Sequence, residues 1–115
     1  MTELKDRECE ACRKGAPLAT EEEIESMLPE IPEWQIVADD GIQKLRRDYS
    51  FSDFSDALAF TVKVGELADD VGHHPTLITE WGKVSVYFFS KKIRGLHVTD
   101  FIMAARTDDL YQQLN

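Results

Sequence analysis

The chain has 115 residues, 43% of them hydrophobic, with 13 basic against 22 acidic side chains and a formal charge of −9. That length holds one domain with a core of its own. The acidic balance argues against direct binding to nucleic acid or an anionic membrane, where Lys and Arg must neutralise phosphate.

Residues 1–19 are charged and hold Gly15 and Pro17, which predicts a flexible N-terminal arm ahead of a single domain over 20–115. Within the arm, Met1-Thr2-Glu3-Leu4-Lys5-Asp6 lacks the apolar stretch of a secretory signal, and no run in the chain reaches the roughly 20 apolar residues of a membrane span. The expected location is the cytoplasm. Cys9 and Cys12 form a lone C-x-x-C without the βαβ context of a redox motif or a second pair to complete a zinc site.

Thr20-Glu21-Glu22-Glu23 matches a capping box and opens a short helix to about Leu28, closed by Pro29 and Pro32. Trp34 to Ala38 alternates apolar and polar as a half-buried strand does, and Asp39-Asp40-Gly41 turns the chain into a second strand over Ile42–Phe51. From Asp53 to Val71 the period becomes helical: Phe54, Ala57, Leu58, Phe60, Val64, Leu67, Ala68 and Val71 share one broad face, and Asp69 falls on its border. Gly72 ends that helix.

Thr76–Trp81 and Val84–Ser90 form a second strand pair across Gly82-Lys83, and a last helix starts near Thr99 as N-cap and runs to Leu114. Phe101, Ile102 and Ala105 lie on one side of it, Met103, Leu110 and Leu114 on the other. Such a two-sided helix predicts packing on its own sheet and on a neighbouring subunit. The order α-β-β-α-β-β-α with short connections gives an α+β fold, a four-stranded antiparallel sheet with helices on one face. Its two open edges also favour a homo-oligomer, dimer or tetramer.

His73 and His74 adjoin Pro75 in the junction between helix and strand, where loops display functional groups from a rigid scaffold. Imidazoles with carboxylates nearby suit general acid–base work near neutral pH. Equally, a histidine pair can simply fill a junction, and composition leaves both readings open. A metal site lacks a third ligand, since His97 lies 23 residues beyond His74 in another loop.

The run Glu66-Leu67-Ala68-Asp69-Asp70-Val71-Gly72-His73-His74-Pro75, with Trp81, Lys83-Val84, Gly95-Leu96 and Asp100, resembles the pterin-4a-carbinolamine dehydratases, also known as the dimerisation cofactor of a homeodomain transcription factor. That family has an acidic residue four before His-His-Pro, an aromatic six after the proline, a His or Trp ten later, and an Asp about nine further on. Asp69, His73, His74, Pro75, Trp81 and Asp100 fall on this pattern, and Lys91 departs from it at the third His position.

The resemblance implies dehydration of a 4a-hydroxytetrahydropterin to quinonoid dihydropterin and water, recycling the cofactor of aromatic amino acid hydroxylases. One such hydroxylase is then a possible partner, and no metal or organic cofactor is required. His73 is the implied principal acid–base group and His74 the group that binds and polarises the pterin. Asp69 and Asp100 orient the imidazoles or bind the ring. Pro75, Ser90, Lys91, Lys92 and Ile93 complete the implied substrate-binding set. Two alternatives stand beside this. One is an impaired relative that binds pterin or a protein partner, with Lys91 marking the lost activity. The other is a metal-binding protein using Cys9, Cys12 and the histidine pair.

Overall fold

Asp40 (φ 55°) and Gly41 (φ 77°) hold the chain in the left-handed region between strands β1 (Gln35–Asp39) and β2 (Ile42–Ser50). Consecutive positive φ values are what a two-residue hairpin turn requires. A second hairpin joins β3 (Thr76–Glu80) to β4 (Lys83–Phe88) through Trp81 and Gly82, the latter at φ 76°. The two hairpins meet through β2 and β4, paired antiparallel from Leu45 opposite Phe88 to Ser50 opposite Lys83, so the strand order is β1-β2-β4-β3. These features belong to a computed structural model that describes residues 3–7 and 17–114.

Strand alternation puts Leu45, Tyr49, Val84, Val86 and Phe88 on one face, and all are buried. Helices α2 (Phe54–Val71) and α3 (Val98–Gln113) supply Phe60, Val64, Phe101 and Ile102 to the same core, and α1 (Glu21–Met27) adds Met27. Thr20 and Glu23 form the expected capping box at the start of α1. The architecture is the α+β fold anticipated from the sequence, with its elements in the anticipated order.

Several boundaries move for identifiable reasons. Pro29 does not stop the chain's coiling, because it sits near the start of a 3-10 turn, Leu28–Glu30, where its missing N–H is harmless. On α2 the buried stripe is narrow, made of Ala57, Phe60, Val64 and Ala68, while Phe54 and Leu58 are 45% and 47% exposed. The N-cap of α3 is His97 rather than Thr99: the imidazole Nδ1 accepts from the Thr99 N–H at 3.0 Å, and the Asp100 carboxylate reaches back to the His97 N–H at 2.9 Å.

The largest correction concerns the second apolar side of α3. Met103 is fully buried within the protomer, as are its neighbours Phe101, Ile102 and Ala104, so it is not a contact residue for another subunit. The chain's own N-terminal segment packs on this helix instead. Leu4, in a 3-10 turn over Leu4–Asp6, is 1% exposed. Arg106 donates to the carbonyls of Lys5 and Arg7 at 2.9 and 2.7 Å, and Lys5 pairs with Asp109 at 3.3 Å. Residues 3–7 are therefore docked rather than loose. Cys9 and Cys12, with the metal reading that depended on them, lie outside the described residues.

A polar hub fixes α3 to the sheet. Asp108 Oδ1 accepts from Trp34 Nε1 at 2.9 Å, Arg47 Nη1 at 2.7 Å and the Tyr49 hydroxyl at 2.5 Å. Burial and then the Asp108 charge push the Tyr49 phenol well above its ordinary value. The hub holds the helix whose first turn carries Asp100.

Candidate active site

Gly72 terminates α2 at φ 80°, and its N–H and that of His73 both bond to the Ala68 carbonyl, at 2.8 and 3.1 Å. A left-handed residue is the usual means of ending a helix and redirecting the chain, and glycine takes it without steric cost. The redirected backbone sends His73 inward and His74 outward.

The His73 side chain is 3% exposed. Its Nε2 lies 2.5 Å from Asp100 Oδ1, and its ring stacks on Phe88 with 11° between planes and 6.3 Å between centroids. Asp100 is completely buried at the third position of α3, and its Oδ2 accepts from the Ser90 hydroxyl at 2.8 Å and the His97 N–H at 2.9 Å. A carboxylate can only accept, so three donors converge on it when His73 carries its proton on Nε2. The neutral imidazole is then left with Nδ1 as an acceptor. His73 is also one of the residues on the wall of the adjoining cleft.

His74 stands at the rim, its side chain 60% exposed, with Nε2 3.2 Å from Oδ1 of the solvent-exposed Asp69. Exposed pairs of this kind contribute little stability; this one biases the direction in which the imidazole points. Opposite, Ser90 and Gly95 exchange N–H···O bonds of 2.8 and 3.3 Å and pinch off a turn that carries Lys91 and Lys92. Phe89 forms an aromatic wall, with the Lys44 and Lys91 ammonium groups 4.3 and 5.9 Å from its ring centroid. The open cleft between them has a volume of about 290 Å³ and is lined by Gly72, His73, His74, Phe89, Lys91 and Lys92.

Of the residues singled out in the sequence, His73, His74, Lys91 and Lys92 line this cleft, and Asp69 and Asp100 each bond to one of its imidazoles. Pro75, Ser90 and Ile93 are not on its wall. Ser90 is buried beneath it, with its hydroxyl turned to Asp100. Trp81, 73% exposed at the β3–β4 turn, is not on the wall either. Sequence reasoning missed Phe88, Phe89 and His97. Phe88 and Phe89 read as ordinary strand residues, whereas His97 and Asp100, three apart before an apolar run, carry the spacing of a capping box.

Comparison with known proteins gives one answer. A family model described as Pterin 4 alpha carbinolamine dehydratase matches residues 17–110. A protein of Chlorobium luteolum is 50% identical over 99% of this chain and 100% of its own length, and one of Syntrophotalea carbinolica is 52% identical over 97% and 100%. Both carry the provisional name pterin-4-alpha-carbinolamine dehydratase. The crystal structure of a transcriptional coactivator/pterin dehydratase from Brucella melitensis superposes with a TM-score of 0.74 at 28% identity, covering 82% of this chain and 98% of that one.

Proposed function

The chain belongs to the pterin 4 alpha carbinolamine dehydratase family, and from that premise we propose that it is a hydro-lyase converting a 4a-hydroxytetrahydropterin to the quinonoid dihydropterin and water. The observation that carries this reading is the buried His73–Asp100 pair on the wall of the cleft, which leaves Nδ1 of His73 as the acceptor toward a bound substrate. In the reaction the bond from the ring carbon to the hydroxyl breaks, a proton joins the departing oxygen, and the adjacent ring nitrogen gives up its proton as a carbon–nitrogen double bond forms. Nδ1 of neutral His73 is placed to take a proton, and Asp100 stabilises the imidazolium that results while fixing its tautomer. His74 at the rim binds and polarises the ring, with Asp69 orienting it. Phe89 offers a flat face for the pterin to stack on.

Lys91 occupies the cleft where the family carries an imidazole, which favours a second reading, a slow or impaired dehydratase that still binds pterin. An unperturbed ammonium donates but does not accept protons near neutral pH. The decisive measurement is turnover of synthetic 4a-hydroxytetrahydropterin by the wild type and Lys91→His between pH 6 and 9. Turnover above the uncatalysed rate, raised further by Lys91→His, supports an enzyme slowed at this position. Equal rates make Lys91 a competent replacement. No turnover by either protein removes the dehydratase reading.

In the cell, the reaction recycles the pterin spent by an aromatic amino acid hydroxylase in the cytoplasm. The working unit is a homodimer or homotetramer, and the apolar surface for it lies on α2, where Phe54, Leu58 and Val62 are 45%, 47% and 53% exposed.

A further inference from the structure

Five of the eleven cations among the described residues are tied to carboxylates: Lys5 to Asp109, Lys44 to Asp39, Arg46 to Asp48, Arg47 to Asp108 and Lys83 to Glu80. Lys91 and Lys92 are not. Among the described residues neither ammonium has an ion-pair or hydrogen-bond partner, and both line the cleft beside His73 and His74. The turn that carries them is closed by the Ser90–Gly95 bonds and by Arg94 N–H to the Lys91 carbonyl at 3.3 Å, so the two cations are presented together on a fixed support. At the rim, the Asp69 carboxylate is engaged with His74.

Dehydration of a neutral pterin gives work to one of these lysines at most. Lys91 stands in for an imidazole and can donate to the leaving hydroxyl or to the ring carbonyl. Lys92 has no part in that chemistry, and two like charges side by side with no counter-ion repel each other. An anion seated against both removes the repulsion. Although the molecule carries a net charge of −9, screening limits remote carboxylates to a range of about 8 Å at physiological ionic strength, so the local pair sets the potential at the cleft mouth. Phe89 lies on the same wall, with the Lys91 ammonium over its ring at 5.9 Å from the centroid.

Resting on the pterin reading above, we infer that the pterin bound here bears an anionic substituent, a carboxylate or a phosphate, and that Lys91 and Lys92 select for it. Fluorescence titration of the full chain at neutral pH and low ionic strength tests this with four probes: neutral 6-methylpterin, pterin-6-carboxylate, neopterin phosphate and inorganic phosphate. One or both anionic pterins bind at least about tenfold more tightly than the neutral one, equivalent to about 1.4 kcal/mol. The preference shrinks as salt is raised and is lost in the Lys91→Gln/Lys92→Gln double variant. Both residues are exposed, so circular dichroism of the variant should match the wild type. The carboxylate and phosphate arms identify which anion is meant.

Equal affinity for neutral and anionic pterins overturns the inference and leaves the pterin reading standing. So does a preference that survives both salt and the double substitution. Inorganic phosphate binding as tightly as the anionic pterins would mean a site for an ion alone, and also overturns it. Binding of no pterin at all removes the inference and the pterin reading together.

Discussion

Adjacent imidazoles meet different surroundings because Gly72, at φ 80°, swings the chain so that His73 lies under the cleft and His74 at its rim. Replacing a positioned acid–base group by alanine costs typically 10²- to 10⁴-fold, and His73→Ala is expected to lower kcat within that range. His74→Ala should raise KM more than it lowers kcat, the signature of lost binding rather than lost chemistry. Steady-state kinetics on the two variants decides; small, equal effects from both would make the pair a structural filler of the junction. The pair was legible in the sequence as a pair, but its division into a buried and an exposed member was not, because helical periodicity stops at Gly72. Asp100 shows the same limit. Read from sequence, it is either a site carboxylate or a helix-terminal charge, and the fold makes it both, capping α3 through the His97 N–H while holding His73.

Both hairpins, the order of elements and the central stripe of α2 (Ala57, Phe60, Val64 and Ala68) followed from turn residues and periodicity, which are local signals. The docking of residues 3–7 on α3 was not legible, since a three-residue 3-10 turn has too little length for a pattern and its partners Glu30, Arg106 and Asp109 are distant in sequence. The two-sided apolar character of α3 was read correctly, and its occupant was not: the same chain, rather than a neighbour, buries Met103. Leu4, 1% exposed, is the anchor of this contact. Leu4→Ala is expected to destabilise the protein by about 2–3 kcal/mol, toward the low end for a buried leucine because a terminal segment can relax around the gap. Urea unfolding should show a lower midpoint at unchanged slope. Lys5→Ala, which removes only a surface ion pair, should lower the midpoint far less. Equal losses from the two variants would mean that the segment is held by its polar contacts and not by burial of Leu4.

At the scale of the whole molecule, Met103 is lost as a contact residue and Leu114 at the end of α3 stays 44% exposed, but the longer exposed apolar row is on α2. Phe54, Leu58 and Val62 recur every four residues and form a line about 12 Å long at the helical rise of 1.5 Å per residue. Scattered exposed apolar side chains are ordinary, but an aligned row on one helix is the form that helix-to-helix contact between subunits takes. The sequence reading placed Phe54 and Leu58 on the apolar face, because the face drawn at 100° per residue was wider than the strip the sheet can cover, and it did not single out Val62. Their exposure makes α2 the stronger candidate for the expected subunit contact, of which Leu110 and Leu114 on α3 can still be part. Light scattering at micromolar concentration should therefore report a dimer or tetramer for the wild type. Leu58→Glu puts a charge in the middle of the row, where pairing copies would bury it without a partner, and should shift the protein to monomer. Because Leu58 is 47% exposed in the protomer, the monomer should keep its far-UV circular dichroism. A wild type that is already monomeric would remove the oligomer reading, and a Leu58→Glu protein that stays assembled would move the contact off α2, to the open edges of β1 and β3.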